Sequence, residues 1–231
     1  MTAPGPCETH LDEFRLQHRL PHLKEALRQS RKIRIVALGS SSVAGADGVI
    51  PFPPRLELLF RQRYFGRMID VINRGIGGQE APEEMSRIEA DVIAEAPSLV
   101  IWQVGTNAVY KSYNPDEVRA TLAVGLDVLA PWPIDVVLMD SQFTTAIVEP
   151  AATLKFANTI MTLISDVAAE KGVNLFRRFA LMKRWVDDGI PLSEMDDGAK
   201  EHLHTSEWAT NCVTQALFDA ITQRVDAPAD A

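Results

Sequence analysis

Several large classes of protein are excluded by what this sequence lacks. No apolar run approaches the ~20 residues needed to span a bilayer, and the opening Met1-Thr-Ala-Pro-Gly-Pro6 has neither the basic start nor the apolar centre of a signal peptide. Basic residues are in deficit, 23 Lys and Arg against 31 Asp and Glu for a net charge of -8. That balance argues against a nucleic-acid partner, which needs clustered cations on one face. Cysteine is scarce: Cys7 lies in a Pro/Gly-rich tail, and Cys212 shares helical spacing with Trp208, Ala216 and Ala220. One exposed and one buried thiol are expected, which fits a reducing, cytoplasmic setting. A processed export form would carry the same signature.

What is present is ordinary globular composition, 46% hydrophobic and 23% charged over 231 residues, enough for one sizeable α/β core. Short runs apolar on both faces, as buried parallel strands are, occur at 33–38, 68–72, 99–104, 134–139 and 173–176. Helical patterns alternate with them. Leu56, Leu59, Phe60 and Tyr64 form one stripe, and Met85, Ile88 and Val92 another. Asn114-Pro-Asp-Glu117 supplies an N-cap, a first-turn proline and a third-position glutamate to a third. Residues 154–169 and 208–221 complete the set. The alternation predicts an α/β, three-layer α/β/α sandwich around a flavodoxin-like five-stranded parallel sheet of order 2-1-3-4-5. Residues 1–31 read as a helical extension broken before Pro21, 32–225 as the domain and 226–231 as a flexible tail. The acidic stretch 180–203 reads as a long irregular connection that shapes a site.

In such a sheet, ligands bind outside the carboxyl ends of the strands near the switch in strand order. Three polar clusters fall there: Gly39-Ser-Ser-Ser42, Asn73-Arg-Gly-Ile-Gly-Gly78 and Gly105-Thr-Asn107. The first is no Walker loop, since Ala44-Gly45-Ala46 stands where Gly-Lys-Ser/Thr is required. The second is no dinucleotide fingerprint, since Glu80 replaces the third glycine. A Ser-rich flavin or phospholigand loop stays open as an alternative. A fourth cluster, Glu201-His-Leu-His204, precedes the last helix. A nucleophilic serine needs a histidine base and a third group to orient it, and this cluster contains candidates for both. Metal binding by Glu201, His202 and His204 is disfavoured, because no third histidine or cysteine cluster accompanies them.

With those four blocks in order across residues 33 to 221, the chain resembles the SGNH hydrolases, the GDSL-like esterases. The resemblance implies that Ser41 is the nucleophile and His204 the base. It implies an oxyanion hole formed by the backbone N–H groups of Ser41 and Gly78 and the side-chain amide of Asn107. Glu201 takes the place of the triad aspartate, with Asp196 and Asp197 as alternative acids. Ser40 stands where relatives keep an aspartate, and Ala108 stands where another is usual. No Gly-x-Ser-x-Gly elbow occurs, which argues against the α/β-hydrolase route to the same chemistry. The implied activity is hydrolysis of a small-molecule or carbohydrate carboxylic ester with no cofactor. A non-catalytic carbohydrate-binding relative is the other alternative.

Overall fold

The computed structural model describes residues 5–46 and 48–227. The five apolar runs form strands β1 (Lys32–Gly39), β2 (Met68–Gly75), β3 (Leu99–Gln103), β4 (Asp135–Met139) and β5 (Asn174–Phe176). All pair in parallel, in the order β2-β1-β3-β4-β5 that the sequence predicts. Every position of central β3 is buried, as it must be where helices cover both faces. Because the strands share one direction, their carboxyl ends share one edge. Gly39 of β1 pairs there with Gly75 of β2, and Gln103 of β3 with Met139 of β4.

Helices α1 (Leu11–Phe14) and α2 (Pro21–Gln29) precede the sheet, while α3 (Ser41–Ala44) and α4 (Phe52–Arg63) follow β1. Each later strand is also followed by two helices: α5 (Ala81–Met85) and α6 (Ile88–Asp91); α7 (Thr106–Tyr110) and α8 (Pro115–Leu129); α9 (Thr145–Val148) and α10 (Ala151–Lys171); α11 (Arg178–Asp187) and α12 (Glu207–Asp226). Helix α12 packs on α4 and α2, and α8 packs between α5 and α10, so two helical layers enclose the sheet. The predicted start of α8 is present, with Pro115 in its first turn and the Asn114 side chain accepting the Asp116 N–H at 3.0 Å.

Three expectations are corrected. The helix expected around 85–92 is broken into α5, α6 and a 3-10 turn at Ile93–Glu95. Arg87 interrupts it with non-helical backbone while its guanidinium donates to Gly39 O, Arg74 O and Gln79 Oε1. The stretch 180–203 is regular in its first part. There α11 buries Leu181, Met182 and Trp185, and its acidic end is paired one turn back through Lys183–Asp187 and Arg184–Asp188. The third correction concerns the cysteines: Cys7 and Cys212 are joined as a disulfide. Periodicity located Cys212 on α12, but nothing local showed that the first residues lie against it. The Trp208 indole donates to Gly5 O, and the Trp185 indole donates to Glu8 O. The argument for a reducing setting loses its premise.

The leading segment shares the core. Leu16, Leu20 and Leu23 are fully buried, and the Leu23 N–H donates to Asp135 Oδ2 at 2.8 Å. Three such side chains contribute about 5–9 kcal/mol of burial before ordering costs, enough to dock the segment rather than leave it fraying. At the other end Asp226 belongs to α12 and pairs with Arg63, and the rest of the expected tail beyond residue 227 lies outside the described residues. None of the described helices is long and apolar enough to cross a membrane.

The disulfide gives a direct expectation. Alkylation of the denatured, unreduced protein should label no thiol. Cys7→Ser should lower unfolding stability by about 2–4 kcal/mol, read from the urea midpoint. Two labelled thiols, or an unmoved midpoint, would contradict the pairing.

Candidate active site

The three serines after β1 have three different environments. Ser40, 1% exposed, directs both its N–H and its hydroxyl to Gln103 Oε1, at 3.2 and 2.9 Å. Ser42 donates to Gln142 Oε1 at 3.0 Å instead of capping the turn. Ser41 Oγ lies 3.0 Å from His204 Nε2. Hydroxyls committed this way do not form a phosphate cradle. The turn presenting Ser41 is pressed against the end of β2: a Cβ on Gly75 would lie 2.2 Å from Ala44 N, so the approach requires glycine. Asn73 seals the contact, its amide donating to Val43 O at 2.6 Å.

His204 arrives on a narrow two-stranded turn. Asp196 and Thr205 form an antiparallel bridge, the Asp197 N–H donates to His204 O at 3.0 Å, and the Ser206 N–H donates to Met195 O. Ser206 then caps α12 through Ala209 N, close to the predicted start. This turn places Asp197 directly beside His204. Its buried carboxylate accepts the Ala199 N–H at 2.9 Å, and Oδ2 stands 3.9 Å from His204 Nδ1. Glu201, three residues before His204, is exposed near the tip of the turn, where its charge acts on His202. The structure sets Asp197, one of the alternative acids, beside His204. The segment doubles back on itself, which is what brings Asp197 to His204. Asp196, the other alternative, binds His202 Nδ1 at 3.0 Å and Thr145 Oγ1 at 2.7 Å.

The loop holding Gly78 and the helix holding Asn107 are brought together at the same edge. The Ile76 N–H donates to Gly39 O at 3.0 Å, tying the loop after β2 to the nucleophile turn. Asn107, 3% exposed, donates one amide N–H to Gln79 O at 2.7 Å, leaving its second for another acceptor. The N–H groups of Ser41 and Gly78 form no hydrogen bond among the described residues.

Sequence reasoning missed the residues that join these parts. Gln142, fully buried, accepts from Ser42 and Thr106 and donates to Leu203 O at 2.9 Å, linking the nucleophile turn to the histidine segment. Below it, buried Arg178 donates to Asp140 O at 3.0 Å; burial lowers its pKa to about 10 and raises that of Asp140 to about 7. A glutamine inside an apolar stretch, as Gln103 is at the end of β3, is the one signal that could have marked such positions. Of the aromatic residues in the loops after the strands and on α11, Phe143 and Trp185 are core, packed on Phe179 and Trp208. Tyr110 is 44% exposed and borders a cavity of about 350 Å³ with Ala146 and Phe156. Among the described residues no group of His, Cys, Asp and Glu is placed to hold a metal ion.

A flavodoxin-like sheet with these four blocks at its carboxyl edge is the architecture of the SGNH-like superfamily. The model of the non-GDSL lipase-like family matches residues 6–227, and the chain belongs to that family. Ser40, standing in place of the Gly-Asp-Ser aspartate, accords with the family's description. Among solved structures the chain is similar to Axe2, an acetylxylan esterase from Geobacillus stearothermophilus. Identity is 20% and the TM-score 0.68, over 83% of this chain and 94% of that one. It is also similar to LAE5, an alpha/beta hydrolase enzyme from the metagenome of Lake Arreo, Spain, with 17% identity and a TM-score of 0.70 over 82% and 95% of the two chains. At such identities the likeness is one of fold. Catalytic mutants of Axe2 replace a serine, an aspartate and a histidine by alanine. No curated protein matches the chain.

The turn carrying His204 has a pH signature. The hydrogen bond and charge of Asp196 raise the His202 pKa above its ordinary 6.5. Burial pushes Asp196 up, but hydrogen bonds from His202, Thr145 and the Gly198 N–H outweigh it, and its pKa falls below 3.8. The His202 contribution is complete below pH 6.5 and is lost as pH rises through its raised folded value. His202→Gln should therefore lower the urea midpoint more at pH 5.5 than at pH 9. An equal loss at both would contradict the pairing.

Proposed function

We propose that the protein is a serine hydrolase that cleaves a carboxylic ester of a small molecule or carbohydrate through an acyl-enzyme. The contact of Ser41 Oγ with His204 Nε2 at 3.0 Å carries this reading, supported by Asp197 behind the other ring nitrogen. Asp197 favours the tautomer with the proton on Nδ1, leaving Nε2 to accept from the serine. Ser41 Oγ attacks the carbonyl carbon as His204 takes its proton. The carbonyl π bond opens onto oxygen, and the N–H groups of Ser41 and Gly78 and the Asn107 amide hold that oxyanion. Collapse expels the alcohol, which leaves with the proton from His204. Water, deprotonated by His204, then attacks the acyl-enzyme, and the acid departs as Ser41 recovers its proton. Each oxyanion donor is worth about 2.7–4 kcal/mol in the transition state.

The acyl group is short in this reading. The cleft beside Ser41 and His204, bounded by Gly45, Val49, Pro51 and Thr210, has about 20 Å³ of free volume. That is room for little more than one water-sized group. The acetylxylan esterase activity in the name of Axe2 points the same way.

On an aryl acetate, Ser41→Ala and His204→Ala are expected to lower kcat/KM by about 10⁴-fold or more. Asp197→Asn should cost about 10²–10⁴-fold, and Glu201→Gln, Ser40→Ala and Ser42→Ala far less. Wild-type turnover in Ser41→Ala would overturn the reading, and a larger loss in Glu201→Gln than in Asp197→Asn would overturn the choice of acid. Aryl acetate should exceed aryl octanoate in kcat/KM by at least about tenfold; the reverse order would refute the short acyl site.

A further inference from the structure

Two of the three oxyanion donors are carried by segments with no backbone hydrogen bond between them among the described residues: the loop holding Gly78, and α7 holding Asn107. A side chain joins them. Two residues past Gly78, Glu80 directs Oε1 at the Gly105 N–H, 2.8 Å away, and Oε2 at the Ala108 N–H, 2.7 Å away. These amides bracket Asn107 in the first turn of α7. Oε1 also accepts the N–H of Ala81, at 3.1 Å, at the start of α5. The contact between Asn107 and Gln79 O closes the clasp, and Lys111 Nζ donates to Gly78 O at 2.6 Å.

Glu80 is 1% exposed, and a buried carboxylate is costly unless hydrogen-bonded. Its partners are all N–H donors. A carboxamide would turn an N–H toward one of them, so the position is built for an acid that accepts at both oxygens. Burial pushes its pKa up, against the pull of the Gly105, Ala108 and Ala81 N–H groups. The buried neighbour Glu84, bonded to the Trp102 indole at 2.8 Å, is raised well above the usual range by burial and by the charge of Glu80. Of the two, Glu84 is the more strongly raised, and Glu80 is the one whose oxygens face N–H donors.

We propose that Glu80 is the positioning residue of the oxyanion hole, its carboxylate locking the Gly78 loop to α7 so that the Gly78 N–H and the Asn107 amide reach one oxygen together. The proposal rests on the Ser41 hydrolase reading. Glu80 touches no substrate and acts through the two donors. Its loss should therefore weaken the transition state more than the ground state.

The test measures kcat and KM on an aryl acetate, inhibition by phenylboronic acid, and thermal midpoint, for Glu80→Gln, Glu80→Asp, Glu84→Gln and Ser41→Ala. Boronate forms a tetrahedral adduct on the serine with an anionic oxygen in the hole. Glu80→Gln should lower kcat about ten- to a hundredfold, change KM less than about threefold, and raise the boronate Ki by the factor that kcat falls. Glu80→Asp keeps the charge and the cap on its own helix but falls short of α7. It should show the same kcat and Ki losses, and it carries the test where Glu80→Gln does not fold. Glu84→Gln should keep wild-type kcat and Ki whatever its midpoint. Lowered midpoints with wild-type kcat and Ki in the Glu80 variants would overturn the assignment, as would an equal kcat loss in Glu84→Gln. Those results with an inactive Ser41→Ala would remove Glu80 alone, whereas an active Ser41→Ala would remove the hydrolase reading as well.

Discussion

One hydrogen bond, 3.0 Å between Ser41 Oγ and His204 Nε2, joins residues 163 positions apart and sets the task of the surrounding structure. Displacement by about 1 Å is enough to cost a reaction of this kind some hundredfold. Ser41 stands on a turn clamped between β1 and β2, while His204 stands on a turn outside the sheet. Their separation depends on links that span both. The link from Ser42 through Gln142 to Leu203 O is the most direct of these, ending one residue from His204.

The same economy of contacts runs beneath the whole edge. Ser40, Gln103, Thr106 and Gln142 form a buried polar network whose members each satisfy a neighbour. Such networks are costly when half-made and rigid when complete. Parallel strands deliver the polar clusters to one edge, but side-chain bonds align them there. Arg87 gives up helical continuity in its own segment to bridge Gly39 O, Arg74 O and Gln79. Local regularity has been exchanged for the geometry of the site.

The division between what could and could not be read from the sequence follows from this. Strands buried on both faces announce themselves as apolar runs, and parallel order follows from alternation with helices, so the sheet was legible to within three residues at every strand end. Ser41, Gly78, Asn107 and His204 were legible as candidates because each follows a strand or precedes the last helix. Which of the three acids stands beside His204 was not, because Asp197 and His204 meet through a cross-turn contact, Asp197 N–H to His204 O, that only the folded turn supplies. The Cys7–Cys212 disulfide spans a separation of 205 residues with no local signature. Gln142 and Glu80 were invisible for another reason: their importance lies in being buried, and only the fold says which polar residues are.

Covalent capture of the nucleophile tests the central claim most directly. The folded protein would be treated with a fluorophosphonate, digested, and the modified peptide sequenced by mass spectrometry. The account predicts one adduct, on Ser41, with Ser40 and Ser42 unmodified and labelling abolished in His204→Ala. Labelling at Ser40 or Ser42, or an adduct forming as fast without His204, would contradict it.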